Sequence, residues 1–224
     1  MELMHGSVRS MSLAVGKRVL PSSARAWLNM AIRDPLNDRL DSWMLRRAAQ
    51  RGDLLRVEIG KGRAAAQSGW YRTNINTLNV WKDTDWAILF GCESRVSNLL
   101  AEHVFEHIAP KLLKHGLDNC FRYLVPGGRL RISVPDGNNP DPAYISSVEP
   151  GGTGPAADDH RSLFTIESLT ACLSRVGFFV EPIEYYDTQH IYHCREYDLA
   201  HGAISRTGRP PPARSLNLDA VRPT

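Results

Sequence analysis

From residue 54 onward the chain alternates short apolar runs with amphipathic stretches, and a layered α/β architecture is the arrangement that buries both kinds of surface. The first run, Leu54-Leu55-Arg56-Val57-Glu58-Ile59, stops at Gly60-Lys61-Gly62, as a buried strand entering a tight turn does. Comparable runs predict strands over residues 70–75, 78–81, 97–101, 129–134, 178–186 and Ser215–Val221. Over residues 111–124 the apolar positions Leu112, Leu113, Leu117, Cys120, Phe121 and Leu124 recur at steps dominated by three and four, which predicts an amphipathic helix ended by Pro126-Gly127-Gly128. A second helix is predicted over residues 165–176, closed by Gly177, and residues 137–154 read as a long loop dense in proline and glycine. The expected fold class is therefore α/β, a Rossmann-like three-layer sandwich with helices on both faces of the sheet. In such sheets ligands sit beyond the carboxyl ends of the strands.

Residues 1–50 have a different texture. Trp27, Leu28, Ile32, Leu36, Leu40, Trp43, Met44 and Leu45 fall at roughly helical spacing interrupted at Pro35, which predicts two helices. We expect an N-terminal segment, residues 1–50, that caps the crevice or forms a homodimer contact, followed by a main domain over residues 51–224. Composition narrows the function. With 224 residues, 42% hydrophobic and 23% charged, the chain is neither disordered nor fibrous. Its 27 Lys+Arg against 24 Asp+Glu leave a formal charge of +3, too small to imply a nucleic-acid partner. No apolar run approaches the ~18 residues of a membrane span, and no export signal is visible. Cys92, Cys120, Cys172 and Cys194 are dispersed without a C-x-x-C pair, so reduced thiols in a cytoplasmic protein are expected.

Glu58-x-Gly60-x-Gly62 places a carboxylate and two glycines at the end of the first strand, where main-chain N–H groups can meet a ligand. Alone, this string reads equally well as an ordinary strand-to-helix turn. It is followed in order by Gly69-Trp70, by Ala101-Glu102-His103-Val104-Phe105-Glu106-His107, and by Leu124-x-Pro126-Gly127-Gly128 before Val134-Pro135-Asp136. Pro150-Gly151-Gly152-Thr153-Gly154-Pro155 then runs into Asp158-Asp159-His160. This series, spanning roughly residues 54–223, resembles the class I S-adenosylmethionine-dependent methyltransferases, closest to their type 11 branch. The resemblance implies a seven-stranded, mostly parallel sheet with an antiparallel last strand, S-adenosylmethionine as cofactor, and a hydroxyl or amine of a small metabolite or sugar as methyl acceptor. Carried over by position, Glu58, Gly60 and Gly62 would hold the methionine end of the cofactor, and Glu102 and His103 would face its crevice. Two letters depart from the pattern: Ala64 stands where many relatives have a third glycine, and the second strand ends without an acid, leaving Asn74 or Asn76 for the ribose. Asp83 or Asp85 would meet the adenine. With those departures, a non-catalytic binding protein on the same fold is the competing class.

His103-Val104-Phe105-Glu106-His107 also matches the H-x-x-E-H string of inverted zinc peptidases, and on a helix His103 and His107 would share a face. No recognisable motif supplies a third ligand, so the expectation is no metal, with a zinc-dependent hydrolase as the remoter alternative and His107 structural. His160, beside Asp159 after a glycine-rich stretch, is the first choice for general base; the other reading is a loop histidine bonded to backbone. His103 is the second candidate base. Asp136, ending the fifth strand, is either catalytic or a cap on the following turn.

Overall fold

A computed structural model of the chain describes residues 34–60, 67–154, 157–205, 207–208 and 215–224. The expectations for Trp27, Gly62 and Ala64 lie outside the described residues. The chain divides into two compact units, Met1–Leu40 and Asp41–Thr224. Of the first, the described part is the start of helix α1 (Asp34–Arg51), whose proline, Pro35, sits in the first turn, where a missing N–H costs nothing.

The second unit is built on one seven-stranded sheet in the order β2-β1-β3-β4-β7-β5-β6. Its strands are β1 (Leu55–Ile59), β2 (Tyr71–Arg72), β3 (Val96–Glu102), β4 (Leu124–Pro135), β5 (Phe179–Tyr186), β6 (Tyr192–Cys194) and β7 (Ser215–Val221). The pairs among β2, β1, β3 and β4 are parallel, and the last strand runs antiparallel to both β4 and β5. The expected seven-stranded, mostly parallel sheet with a reversed final strand is thus present.

Its membership differs from the sequence expectation in one exchange. Residues 78–81 are not a strand. The carbonyl of Val80 accepts from Trp86 Nε1 at 2.9 Å and Asn119 Nδ2 at 3.1 Å, and Asn79 N–H donates to Asp85 Oδ2 at 2.9 Å. Side chains satisfy this backbone, so it needs no ladder. Instead β6, unforeseen, adds an antiparallel edge strand beside β5. The second strand is shorter than predicted, because Asn74 turns the chain by accepting Asn76 N–H on its own Oδ1 at 2.9 Å.

Helices α2 (Asp83–Phe90), α3 (Pro110–Tyr123) and α5 (Ile166–Val176) pack against one another in sequence across the sheet, α3 touching both neighbours. Trp86, Phe90 and Tyr123 meet with ring centroids 5.1 to 5.6 Å apart inside this layer. Leu45, Ala48 and Ala49 of α1 join the same core. Thr165 and Ser168 form a reciprocal cap at the start of α5, and Gly177 ends it in the left-handed conformation at φ 111°. The supposed long loop contains a short helix, α4 (Pro142–Val148), whose signal was Asp141-Pro142: Asp141 Oδ1 accepts from Ala143 N at 2.8 Å and Tyr144 N at 3.3 Å.

Candidate functional site

Register places the strand ends side by side. Glu58 stands opposite Arg72, Ile59 opposite Ala101, and Glu102 opposite Ser133, so the carboxyl ends of β2, β1, β3 and β4 form one rim. Glu58 pairs with Arg72 across it, Oε2 to Nε at 2.9 Å, and both side chains are largely buried. The Glu58 carbonyl accepts Thr73 N at 2.9 Å and Thr73 Oγ1 at 3.0 Å. Gly60 follows at φ +73°, and a Cβ there would collide with Val104 Cγ2. Glycine is therefore required twice over, for a left-handed backbone and for close approach of the segment after β3.

On β3's end, Glu102 accepts from Ser205 Oγ at 2.7 Å and Ser205 N at 3.3 Å. The next residue, His103, has φ +55°, a conformation costing a non-glycine residue about 1–2 kcal/mol. It is held there: its N–H donates to Ser133 O at 2.8 Å, its Nδ1 lies 2.7 Å from Glu106 Oε1, and its Nε2 lies 3.4 Å from Ser215 Oγ. Glu106 itself is fully buried.

The helical reading of the H-x-x-E-H string is corrected by this backbone. After the left-handed His103, Phe105–His107 is a single 3₁₀ turn, so His103 and His107 do not share a helix face. His107 turns toward His160 instead, the two rings edge-on with centroids 4.8 Å apart. His160 is buried with Nδ1 2.6 Å from Val148 O, and the ligating atoms of Glu106, His107 and His160 lie within 4.8 Å of one another. The Glu106 carbonyl accepts Arg161 N at 2.6 Å and Ser162 N at 3.2 Å, which fastens the His160 segment to this turn.

Asn74 and Asn76 belong to the turn after β2, with Asn74 Oδ1 engaged inside it. Asp83 lies in the first turn of α2 and faces α3. A hydrogen bond from Asn119 holds its carboxyl below the usual range, with His115 3.0 Å away. Asn74 follows the carboxyl end of β2 by two residues, whereas Asp83 lies further along the chain, in α2. Asp136 is buried at the end of β4 and accepts Tyr186 N at 2.7 Å and Asn138 N at 2.9 Å, joining β4 to β5. The groups that sequence reasoning passed over are Arg72, Ser205 and the acid of H-x-x-E-H, Glu106. The last was visible as a carboxylate three residues after a candidate base.

Burial raises the Asp136 carboxyl from 3.8 to about 6. Between those values the folded chain keeps a proton that the unfolded chain has released, so stability falls as pH rises through about 4 to 6 and the loss is complete above. A displacement of this size is worth on the order of 3 kcal/mol. Asp136→Asn is expected to flatten the pH dependence of the urea midpoint over that interval; an unchanged slope would assign the dependence elsewhere.

No family model and no curated protein matches the chain. Solved structures similar to it are S-adenosylmethionine-dependent methyltransferases. One from Thermotoga maritima is 12% identical with TM-score 0.47, covering 88% of this chain and 99% of that one. Another, from Archaeoglobus fulgidus, is 15% identical with TM-score 0.45, covering 82% and 94%. A third is the Burkholderia thailandensis 1,6-didemethyltoxoflavin-N1-methyltransferase with its substrate and S-adenosylhomocysteine bound, 15% identical with TM-score 0.43, covering 100% and 94%.

Proposed function

We propose that the chain is an S-adenosylmethionine-dependent methyltransferase acting on a hydroxyl or amine of a small metabolite or sugar. The observation that carries this reading is the rim itself: two carboxylates, Glu58 and Glu102, on adjacent strands either side of the left-handed Gly60, with a His103–Glu106 pair next to them. The donor set fits the cofactor's chemistry. Its ammonium and sulfonium are cationic and match Glu58 and Glu102, and its carboxylate matches the guanidinium of Arg72. Bound there, the cofactor supplies a methyl group on a sulfonium.

The protein's share is alignment and proton management, since the displacement itself needs little covalent machinery. Glu106, 2.7 Å from His103 Nδ1, orients the imidazole and favours a proton on Nδ1, which leaves Nε2 to accept the proton of an acceptor hydroxyl. In this reading His103 is the base. His160 has its Nδ1 engaged by Val148 O and lies beside Glu106 and His107.

Calorimetric titration with S-adenosylmethionine and S-adenosylhomocysteine tests the proposal. Saturable binding of both is expected, and Glu102→Gln is expected to weaken it about tenfold or more, since a hydrogen bond to a charged group contributes about 1.5–3 kcal/mol. Among the described residues the Glu102 carboxylate's hydrogen bonds go to Ser205, so the variant should fold. The Glu58–Arg72 ion pair, which engages the carboxylate the cofactor needs, favours a second reading, a non-catalytic binding protein. A folded chain silent to both compounds would select it.

A further inference from the structure

We propose that Glu106, His107 and His160 bind a divalent transition-metal ion, zinc being the type case, at a site that shares Glu106 with the His103–Glu106 pair but requires no methyl donor. Their three ligating atoms lie within 4.8 Å of one another; tetrahedral ligands at ~2.1 Å from an ion stand ~3.4 Å apart, so the widest pair closes by at most about 1.4 Å.

Three features beyond proximity point to a cation. Glu106 is 0% exposed, and its carboxylate is only half engaged among the described residues. Its Oε1 faces His103 Nδ1 at 2.7 Å, which leaves Oε2 as a buried oxygen with no donor among the described residues. A buried carboxylate in that condition is costly unless a positive charge meets it. Both histidines are set up as ligands. His160 Nδ1 lies 2.6 Å from Val148 O, and His107 Nδ1 lies 3.3 Å from Asp159 O and 3.4 Å from Asp159 Oδ2. With Nδ1–H given to an acceptor in each ring, Nε2 carries the lone pair; this is the outer-shell pattern that fixes metal-bound imidazoles. Finally, the group is preorganised across 53 intervening positions by main-chain bonds, Arg161 N and Ser162 N to the Glu106 carbonyl at 2.6 and 3.2 Å.

Two imidazoles and a carboxylate suit zinc and its first-row neighbours, and three protein ligands leave a fourth position for water. The H-x-x-E-H string therefore contributes its last two letters, with His160 in place of His103.

The full-length protein, stripped with chelator, is titrated with Zn²⁺ and with Co²⁺. One equivalent of Zn²⁺ is expected to bind and raise the thermal midpoint, and Co²⁺ to give the visible absorption of a low-coordinate nitrogen–oxygen site. Glu106→Gln, nearly isosteric, and His160→Ala are each expected to weaken Zn²⁺ binding about a hundredfold or more, while His103→Asn retains it. The proposal is overturned if wild-type protein shows neither the thermal shift nor the cobalt spectrum, a result that needs no variant to fold. It is equally overturned if binding survives in Glu106→Gln, or disappears in His103→Asn alone.

Discussion

Asp219→Ala is expected to lower the unfolding free energy by about 3–5 kcal/mol, because it strands a buried guanidinium. Arg131 on β4 is 0% exposed and stands directly opposite Asp219 on β7. Its Nε donates to Asp219 Oδ1 at 2.7 Å and its Nη2 to Oδ2 at 2.8 Å, a two-pronged pair. The remaining nitrogen, Nη1, donates to the carbonyls of Asp198, at 2.8 Å, and Gly202, and the guanidinium lies over the Tyr197 ring at 4.6 Å. All three nitrogens of the cation are therefore engaged, and among the described residues Asp219 is the carboxylate paired with it. Removing it leaves the desolvation cost without the compensation. Truncating both members, as in Arg131→Met with Asp219→Leu, is expected to recover most of the loss, since well-packed apolar pairs replace buried ion pairs at little cost. Urea unfolding of the three variants measures this; a loss below about 1 kcal/mol for Asp219→Ala would mean that the arginine finds another partner or water.

The second large effect is on turnover. His103→Asn is expected to lower kcat by about 10²- to 10⁴-fold, the usual contribution of a positioned base, with S-adenosylhomocysteine affinity nearly unchanged. Asparagine is the informative replacement because it tolerates the left-handed backbone that His103 occupies at φ +55°, so strain does not confound the result. The pH profile carries the specific signature: the limb that reports protonation of the base should vanish in the variant. An unchanged kcat would remove His103 from the chemistry, and loss of cofactor binding with no change in the pH limb would make it a binding residue instead.

Much of the frame was legible in the letters. The run ending in Ile59, the amphipathic stretch over residues 111–124, the helix closed by Gly177 and the alternating span Ser215–Val221 each became the element expected, whereas Pro126-Gly127-Gly128, expected to stop the helix, lies inside β4. Residues 78–81 misled because Leu78 and Val80 are buried, as a strand's would be, while the Val80 carbonyl accepts from Trp86 and Asn119 and Asn79 N–H donates to Asp85. Apolar period reports burial and is silent on where the backbone's polar groups find partners.

The candidate site divides in the same way. Glu58, Gly60, Glu102 and His103, picked out from the family resemblance, fall at or just past the ends of β1 and β3, and parallel strands of one sheet deliver their carboxyl ends to one edge. That Glu106 orients His103, that His107 turns from His103 to His160, and that Glu58 meets Arg72 could not be read, since each depends on one backbone torsion or on residues distant along the chain. Order along the chain set the sheet and its working edge, because local period and punctuation are short-range properties. The charges and rings that face one another were decided by tertiary packing, with the left-handed residue at position 103 followed by a 3₁₀ turn in place of a helix.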